Sequence, residues 1–226
     1  MDSSGPSNDA KQKDFHFKPE MKISDNPLQK LDPLIVKACK SLCKIIISPK
    51  KLGSGFLIQL FKGKEQFFCM ITCEHVVTKK MIEQRQKIVA YYDSESKLVE
   101  IHLNPEERFI KDFKDIQIDA TVIEILPRDN IPQDYFLLPL IDYMDNYKEL
   151  INKDIAIIQY PKGEMNYSFG IIKDMTNSHP YQYEFVHNAS TLEGSSGSPI
   201  FLKGTTKVVG IHKGAKENII EGNIKK

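Results

Sequence analysis

The chain has 226 residues, 41% of them hydrophobic, which is enough for a sizeable core in one domain or two small ones. Its 31 Lys and Arg nearly balance 30 Asp and Glu, so the formal net charge of +1 creates no overall field for nucleic acid or an anionic membrane. No stretch reaches the ~18–20 apolar residues of a membrane helix, and the polar N-terminus lacks a signal segment. We therefore expect a cytoplasmic protein without nucleic-acid or membrane partners.

Residues 1–32 are rich in Lys, Asp, Ser and Pro, which predicts a flexible polar tail. A short helix is predicted over 30–44, because Asp32 can cap it and Pro33 suits its first turn. A second helix is predicted over 77–86. The other predicted elements are short strands with turn residues between them, at residues 44–48, 55–61, 66–72, 87–92, 97–103, 118–126, 154–160, 167–173, 183–187, 199–202 and 207–212.

A turn-rich bridge at residues 127–132 divides these strands into two clusters of similar size. Short strands at this spacing are typical of barrels or a sandwich. We predict an all-β domain over 33–226, with a first barrel at about 40–127 and a second at about 137–222.

The four cysteines are too few for a secreted disulfide scaffold, and a reducing compartment would keep them as thiols. Their spacing lacks the histidine partners and knuckle glycines of a zinc site. We interpret Cys39, Cys43, Cys69 and Cys73 as small buried hydrophobes, and we expect neither a metal nor another cofactor.

A glycine-flanked serine loop lies between two predicted strands at Gly194-Ser-Ser-Gly-Ser-Pro199. A serine nucleophile needs a base within hydrogen-bond reach, and that base needs an orienting partner. His75 stands at a junction between a strand and a helical turn, where a side chain can project into a cleft. Asp119 is an acid in an otherwise apolar run, and burying it requires a partner such as an imidazole N–H. Acyl transfer is therefore the leading hypothesis.

Four motifs, in this order, resemble those of the chymotrypsin-like (PA-clan) serine peptidases: Gly53-Ser-Gly-Phe56, Thr72-x-x-His75, Asp119-Ala120 and Gly194-x-Ser-Gly-x-Pro199. The resemblance covers nearly everything after Ile35. It implies a trypsin-like fold of two six-stranded antiparallel β-barrels with the active site in the cleft between them. It also implies Ser196 as the nucleophile, His75 as the general base, Asp119 as its orienting acid, and the backbone N–H groups of Gly194 and Ser196 as the oxyanion hole.

Within that group the chain is similar to the glutamyl endopeptidases, at Ser190-Thr191 before the serine and at Gly210-Ile-His212 after it. This resemblance implies that Ser190, Thr191 and His212 bind the substrate, and that proteins or peptides are cleaved after Glu, with Asp or Gln second. An imidazole and a threonine hydroxyl can donate hydrogen bonds to a carboxylate, and the bound carboxylate favours the imidazolium. The same groups can bind a neutral amide, so Gln stays open.

Two other hypotheses fit the residues. A catalytically silent domain could keep this fold to bind peptides or partners, although such domains commonly lose a triad member and none is missing here. A quality-control protease of the HtrA type shares the Gly-Ser-Gly-Phe and Asp-Ala motifs. We expect no peptide-binding module, because none follows residue 226, and the Gly210-Ile-His212 motif favours the glutamyl type.

Overall fold

The computed structural model describes residues 33–48, 51–114, 118–141, 146–176 and 184–214, all of which belong to the unit Leu31–Lys226. The predicted tail lies outside these residues. Neither described α-helix is long and apolar enough to cross a lipid bilayer. In chain order the elements are α1 (Pro33–Ser41), β1 (Leu42–Ser48), β2 (Lys51–Lys62), β3 (Glu65–Thr72), α2 (Lys79–Glu83), β4 (Lys87–Tyr92), β5 (Lys97–His102), β6 (Ile110–Asp112), β7 (Thr121–Glu124), β8 (Leu138–Pro139), β9 (Asp154–Gln159), β10 (Asn166–Thr176), β11 (Glu184–His187), β12 (Pro199–Leu202) and β13 (Lys207–Ile211).

The strands form two curled sheets. The first has the order β5-β4-β1-β2-β3-β7-β6, and its neighbouring strands are antiparallel. The second has the order β11-β10-β9-β12-β13-β8, in which β8 pairs with β13 in parallel. The predicted all-β architecture is confirmed, with two curled half-barrel sheets where two six-stranded barrels were expected.

Some details differ from the prediction. The first sheet has seven described strands where six were expected, because β6 is only three residues long and shows no alternation to detect. The helix predicted over 77–86 is restricted to α2, since Arg85 takes a left-handed φ of 50°. Of the helix predicted over 30–44, residues 30–32 lie outside the described part of the chain, and α1 ends at Ser41, directly before β1. The strand predicted over 118–126 shrinks to β7, so Asp119 precedes it.

Alternating side chains divide the core into three clusters. In β2, Leu57 packs inside the first sheet, whereas its neighbour Phe56 faces the second sheet. In β9, Ile157 packs inside the second sheet and Ile158 faces the first. Because successive residues of a strand point to opposite faces, each sheet encloses its own core and shares a third with the other. Helix α1 packs on this shared core.

All four cysteines are free and buried. Burial raises the pKa of each thiol, which keeps it protonated near neutral pH. A metal ligand needs the thiolate, so these side chains act as the small hydrophobes that the sequence predicts.

The loop that precedes β12 touches the first sheet backbone to backbone. Gly197 has a φ of 91°, and a Cβ built on it would lie 2.0 Å from Ser54 O and 2.6 Å from Thr72 Oγ1. Ser54 belongs to β2 and Thr72 to β3. A side chain at this position would therefore push the two sheets apart, and glycine is required for both space and conformation.

We expect Gly197→Ala to destabilise the fold more than Gly204→Ala. Gly204 also has a positive φ, of 80°, but a Cβ there meets nothing within 4 Å. The Gly204 variant should lose only the ~1–2 kcal/mol of left-handed strain. The Gly197 variant should lose a further ~1–3 kcal/mol from overpacking. Urea unfolding measures both free energies, and equal losses would contradict the backbone contact.

Candidate active site

His75 lies in the turn that follows β3. The N–H groups of Val76 and Val77 both donate to Cys73 O at 3.1 Å, and these three side chains are buried in the core of the first sheet. The turn is thereby anchored on both sides of His75, whose own side chain is 47% exposed. The local sequence thus leaves the imidazole available to a ligand or a neighbouring loop.

Asp119 meets His75 just before β7. His75 Nδ1–H donates to Asp119 Oδ2 at 2.6 Å, and the backbone N–H of His75 donates to Oδ1 at 3.0 Å. Both carboxylate oxygens are engaged by one residue, and Nε2 is left as the basic nitrogen of the neutral ring. The pairing predicted from the cost of burying Asp119 agrees with this geometry.

Two opposing effects act on the pKa of Asp119. Partial burial raises this pKa, whereas the hydrogen bonds from the side chain and backbone of His75, together with one from the backbone of Glu74, lower it more. The net pKa lies below the usual value, so the carboxylate is ionised at neutral pH. An ionised carboxylate in this position fixes the imidazole tautomer and stabilises the imidazolium.

Ser196 lies in the loop between β11 and β12 and is partly exposed. Its hydroxyl donates to Lys213 O at 3.1 Å. Within the described part of the chain, no hydrogen bond joins this hydroxyl to the His75 ring. Catalytic hydrogen bonds are often loose without substrate and tighten in the substrate complex, so this arrangement is compatible with a nucleophile.

The backbone around Ser196 leaves two N–H groups free. Those of Ser195, Gly197 and Ser198 donate to carbonyls at 2.8 to 3.1 Å. Those of Gly194 and Ser196, the two predicted oxyanion donors, meet no acceptor among the residues that the structure describes. Two unpaired donors on one loop can bind a developing negative charge.

The serine loop is bonded directly to the first sheet. Ser54 N–H donates to Ser196 O at 2.9 Å. His212 O, which follows β13, accepts both the Gly197 N–H of the loop, at 2.8 Å, and Cys73 Sγ–H, at 3.4 Å. Because Cys73 begins the turn that carries His75, these bonds hold the loop beside that turn. The structure therefore gathers the three predicted catalytic residues at one edge of the interface between the sheets.

Cys73, His75 and Asp119 also place one potential ligand atom each within 4.8 Å of one another. The histidine and the carboxylate are bonded to each other, and the Cys73 thiol donates to a backbone carbonyl. Burial raises the pKa of that thiol, so the thiolate that a metal needs is disfavoured. Asp119 therefore orients the His75 imidazole, and the three side chains together do not suit a metal ion.

His212, the predicted specificity residue, is in contact with another histidine, His187. His212 is buried, and its backbone N–H donates to Ser198 O at 2.8 Å. His212 Nδ1 lies 3.1 Å from Nε2 of His187, with the rings edge to face. One ring must donate to the other, so the tautomer of His187 restricts that of His212.

Both rings are neutral at pH 7. Burial lowers the pKa of His212 to about 4, and the neighbouring rings of His187 and His75 add to the effect. Burial also lowers the pKa of His187. The free site therefore carries no positive charge on this histidine pair.

The sequence marks His187 only as a residue of a predicted strand. Its strand, β11, is separated from β13 by three other strands in the sheet order. Curling of the sheet brings His187 to His212, and no periodicity along the chain could reveal that approach.

Ser190 and Thr191 lie between β11 and the serine loop. The carbonyl of Ser190 accepts a hydrogen bond from Gln159 Nε2 at 2.9 Å, and Thr191 is partly buried. Among the described residues, neither hydroxyl forms a hydrogen bond with the His212 ring. Among the described residues, the hydrogen-bonded neighbour of the His212 ring is therefore His187, and not the predicted Ser190 or Thr191.

Solved structures of proteases share this fold. The serine endoprotease from Yersinia pestis has a TM-score of 0.54 at 14% identity, over 82% of this chain and 58% of that one, so the chain spans less than two thirds of that protein. The inactive form of the Rv3671c protease has a TM-score of 0.54 at 20% identity, over 84% and 88% of the two chains. Deg5 has a TM-score of 0.57 at 16% identity, over 80% and 82%. At such identities the likeness establishes the fold alone.

Comparison with curated proteins finds no match. A family model described as the trypsin-like peptidase domain matches residues 53–211. That range is more than half of the chain, and it contains His75, Asp119 and the serine loop. The chain therefore belongs to the trypsin-like peptidase family.

Proposed function

We propose that this trypsin-like peptidase is a serine endopeptidase with Ser196 as nucleophile, His75 as general base and Asp119 as the residue that orients the base. The observation that carries the proposal is the double hydrogen bond from His75 to the Asp119 carboxylate, at 2.6 and 3.0 Å. It leaves Nε2 of His75 as a base beside the serine loop.

The chemistry follows from these groups. On substrate binding the Ser196 hydroxyl leaves Lys213 O, passes its proton to His75 Nε2 and attacks the scissile carbonyl carbon. The carbonyl oxygen takes the negative charge and receives hydrogen bonds from the N–H groups of Gly194 and Ser196. The imidazolium returns the proton to the leaving amine, which departs and leaves an acyl-enzyme. Water, deprotonated by His75, then releases the acid product and restores the serine.

We also propose cleavage after Glu, with Asp or Gln second. The support is the buried His212 ring next to the serine loop, with a second imidazole behind it. A neutral ring can donate one N–H to a carboxylate or to an amide oxygen, and a bound carboxylate additionally favours protonation of the ring. The Glu preference over Gln therefore depends on proton uptake by the histidine pair.

The four free, buried thiols support the further proposal of a reducing, intracellular setting.

A catalytically silent binding domain is the alternative function. The hydrogen bond from Ser196 to Lys213 O favours that alternative, because it holds the hydroxyl away from the base in the free protein. Reactivity of the serine separates the two functions.

We expect a fluorophosphonate probe to add once to the native protein, because only a serine next to a base and a pair of oxyanion donors is activated. Intact-mass analysis measures the adduct. Ser196→Ala and His75→Ala should show none, and Asp119→Asn should react about 10⁴-fold more slowly. Ser195→Ala, which changes the adjacent buried serine, is the matched control and should still be labelled. An unlabelled but folded native protein would contradict a constitutively active serine and leave either a latent enzyme that needs a partner or the silent domain.

We expect His212→Leu to lose the preference for Glu while keeping the reactive serine. Peptides that differ only in Glu, Asp, Gln or Leu before the scissile bond measure kcat/KM for each residue. Loss of one hydrogen bond to a charged group corresponds to about 1.5–3 kcal/mol, or roughly 10- to 150-fold in kcat/KM. His102→Leu, an exposed histidine on β5, is the control and should leave the profile unchanged. An unchanged Glu preference in His212→Leu would place the specificity elsewhere.

We expect the Glu-to-Gln ratio of kcat/KM to fall as the pH rises from about 4. The free His212 ring has a pKa of about 4, and a bound carboxylate raises it, so Glu binding takes up a proton between these two values. In that window the ratio should fall by up to about tenfold per pH unit and then level off. Any pH dependence that the two substrates share cancels in the ratio. A ratio independent of pH would mean that Glu is bound without proton uptake.

A further inference from the structure

Ser54 is a fully buried serine of β2 whose polar atoms are all engaged. Its hydroxyl donates to Gly194 O at 2.8 Å and accepts the Tyr160 N–H at 3.2 Å. Its backbone N–H donates to Ser196 O at 2.9 Å, and its carbonyl accepts from Thr72 Oγ1 at 2.7 Å. A buried hydroxyl is unfavourable unless it is paired, so these bonds explain why a polar residue is tolerated here.

Four successive carbonyls of the serine loop are held by defined donors. Ser54 supplies two of them, through its hydroxyl to Gly194 O and its N–H to Ser196 O. The other two donors are backbone N–H groups, from Lys162 to Glu193 O at 2.7 Å and from Ser198 to Ser195 O at 3.1 Å. The Ser54 hydroxyl is the one side-chain donor in this set.

These bonds determine which N–H groups of the loop stay free. A trans peptide is planar, so its N–H points away from its carbonyl oxygen. With Glu193 O directed to Lys162, the Gly194 N–H points to the other side. With Ser195 O directed to the Ser198 N–H, the Ser196 N–H likewise points away from that bond. Both are the N–H groups that meet no acceptor among the described residues.

Gly194 is the residue of this loop whose backbone conformation most depends on the surrounding hydrogen bonds. It has a φ of 94°, and as a glycine it can take many other backbone conformations. The peptide before it is held by Lys162 and the peptide after it by the Ser54 hydroxyl. Without that hydroxyl the second peptide keeps only the bond from its Ser195 N–H to Leu192 O, at 3.0 Å. It can then rotate more easily, and the Gly194 N–H is held less firmly in its position.

We propose that Ser54 is a positioning residue that holds the oxyanion donors of the serine loop in place before substrate binds. The inference rests on the proposed serine peptidase function. Donors that are already oriented cost no reorganisation when charge develops on the substrate, so Ser54 acts on the transition state through Gly194 and does not touch the substrate.

The test compares Ser54→Ala with Thr72→Val in the full chain. Thr72→Val also removes a buried hydroxyl from the first sheet, but that hydroxyl bonds to Ser54 O and to none of the four loop carbonyls. Both variants should unfold at lower urea concentration than the native protein. Only Ser54→Ala should lose kcat, by about 10- to 100-fold with KM within twofold, which is less than the ~10²–10³ for outright loss of one donor. Ser54→Cys, which retains a weak donor, should fall between Ser54→Ala and the native protein.

Crystal structures of the native protein and Ser54→Ala provide a readout that does not require activity. We expect the peptide after Gly194 to be rotated in the variant and unrotated in Thr72→Val. Equal kcat values for Ser54→Ala and Thr72→Val, or an unrotated peptide, would overturn the proposal. A native protein that the fluorophosphonate probe leaves unlabelled would instead contradict the serine peptidase function, while the peptide orientation would still decide the role of Ser54.

Discussion

The site depends on one close approach, that of the serine loop to the backbone of β2. At Gly197 there is no room for a Cβ, because Ser54 O would lie 2.0 Å away. The approach lets Ser54 reach two carbonyls of the loop and lets Cys73 reach His212 O. Beside the apolar core that the two sheets share, directional hydrogen bonds thereby link them at the place where the predicted catalytic residues meet. Packing alone would leave their relative register less well defined.

The pKa values of Asp119 and His212 are both lowered, but for different reasons and with opposite consequences for charge. We call Asp119 with His75 the first half of the site and His212 with His187 the second half. At Asp119 the hydrogen bonds from His75 outweigh burial, and the carboxylate stays ionised. At His212 burial dominates and the imidazole stays neutral. The first half therefore holds a charge that can stabilise an imidazolium, whereas the second half acquires charge only when a ligand supplies a partner. Under the proposed specificity, His212 takes up a proton only when an acidic residue is bound beside it.

The hydrogen bond between His187 and His212 limits how easily His212 can be protonated. Two facing nitrogens 3.1 Å apart share a single hydrogen while both rings are neutral. Protonation of His212 makes its Nδ1 a donor, and His187 must then accept at Nε2 and carry its own hydrogen on Nδ1. That Nδ1 is buried and has no partner among the described residues. The rearrangement is unfavourable, and it opposes the proton uptake on which the proposed Glu preference depends.

Several features were determined by local sequence. The strands at Lys87–Tyr92 and Pro199–Leu202 have the predicted bounds, because their turn residues and apolar runs are confined to short segments. The partnership of Asp119 with His75 also followed from the sequence, since an acid in an apolar run requires a donor. The sequence did not reveal β6 and β8, which are too short to show alternation, or the roles of Ser54 and His187. Those residues act through neighbours that lie far away in the chain, on strands that become adjacent only when the sheets curl and pack. Hydrogen bonds between distant segments leave no period in a sequence, so only the tertiary structure could decide them.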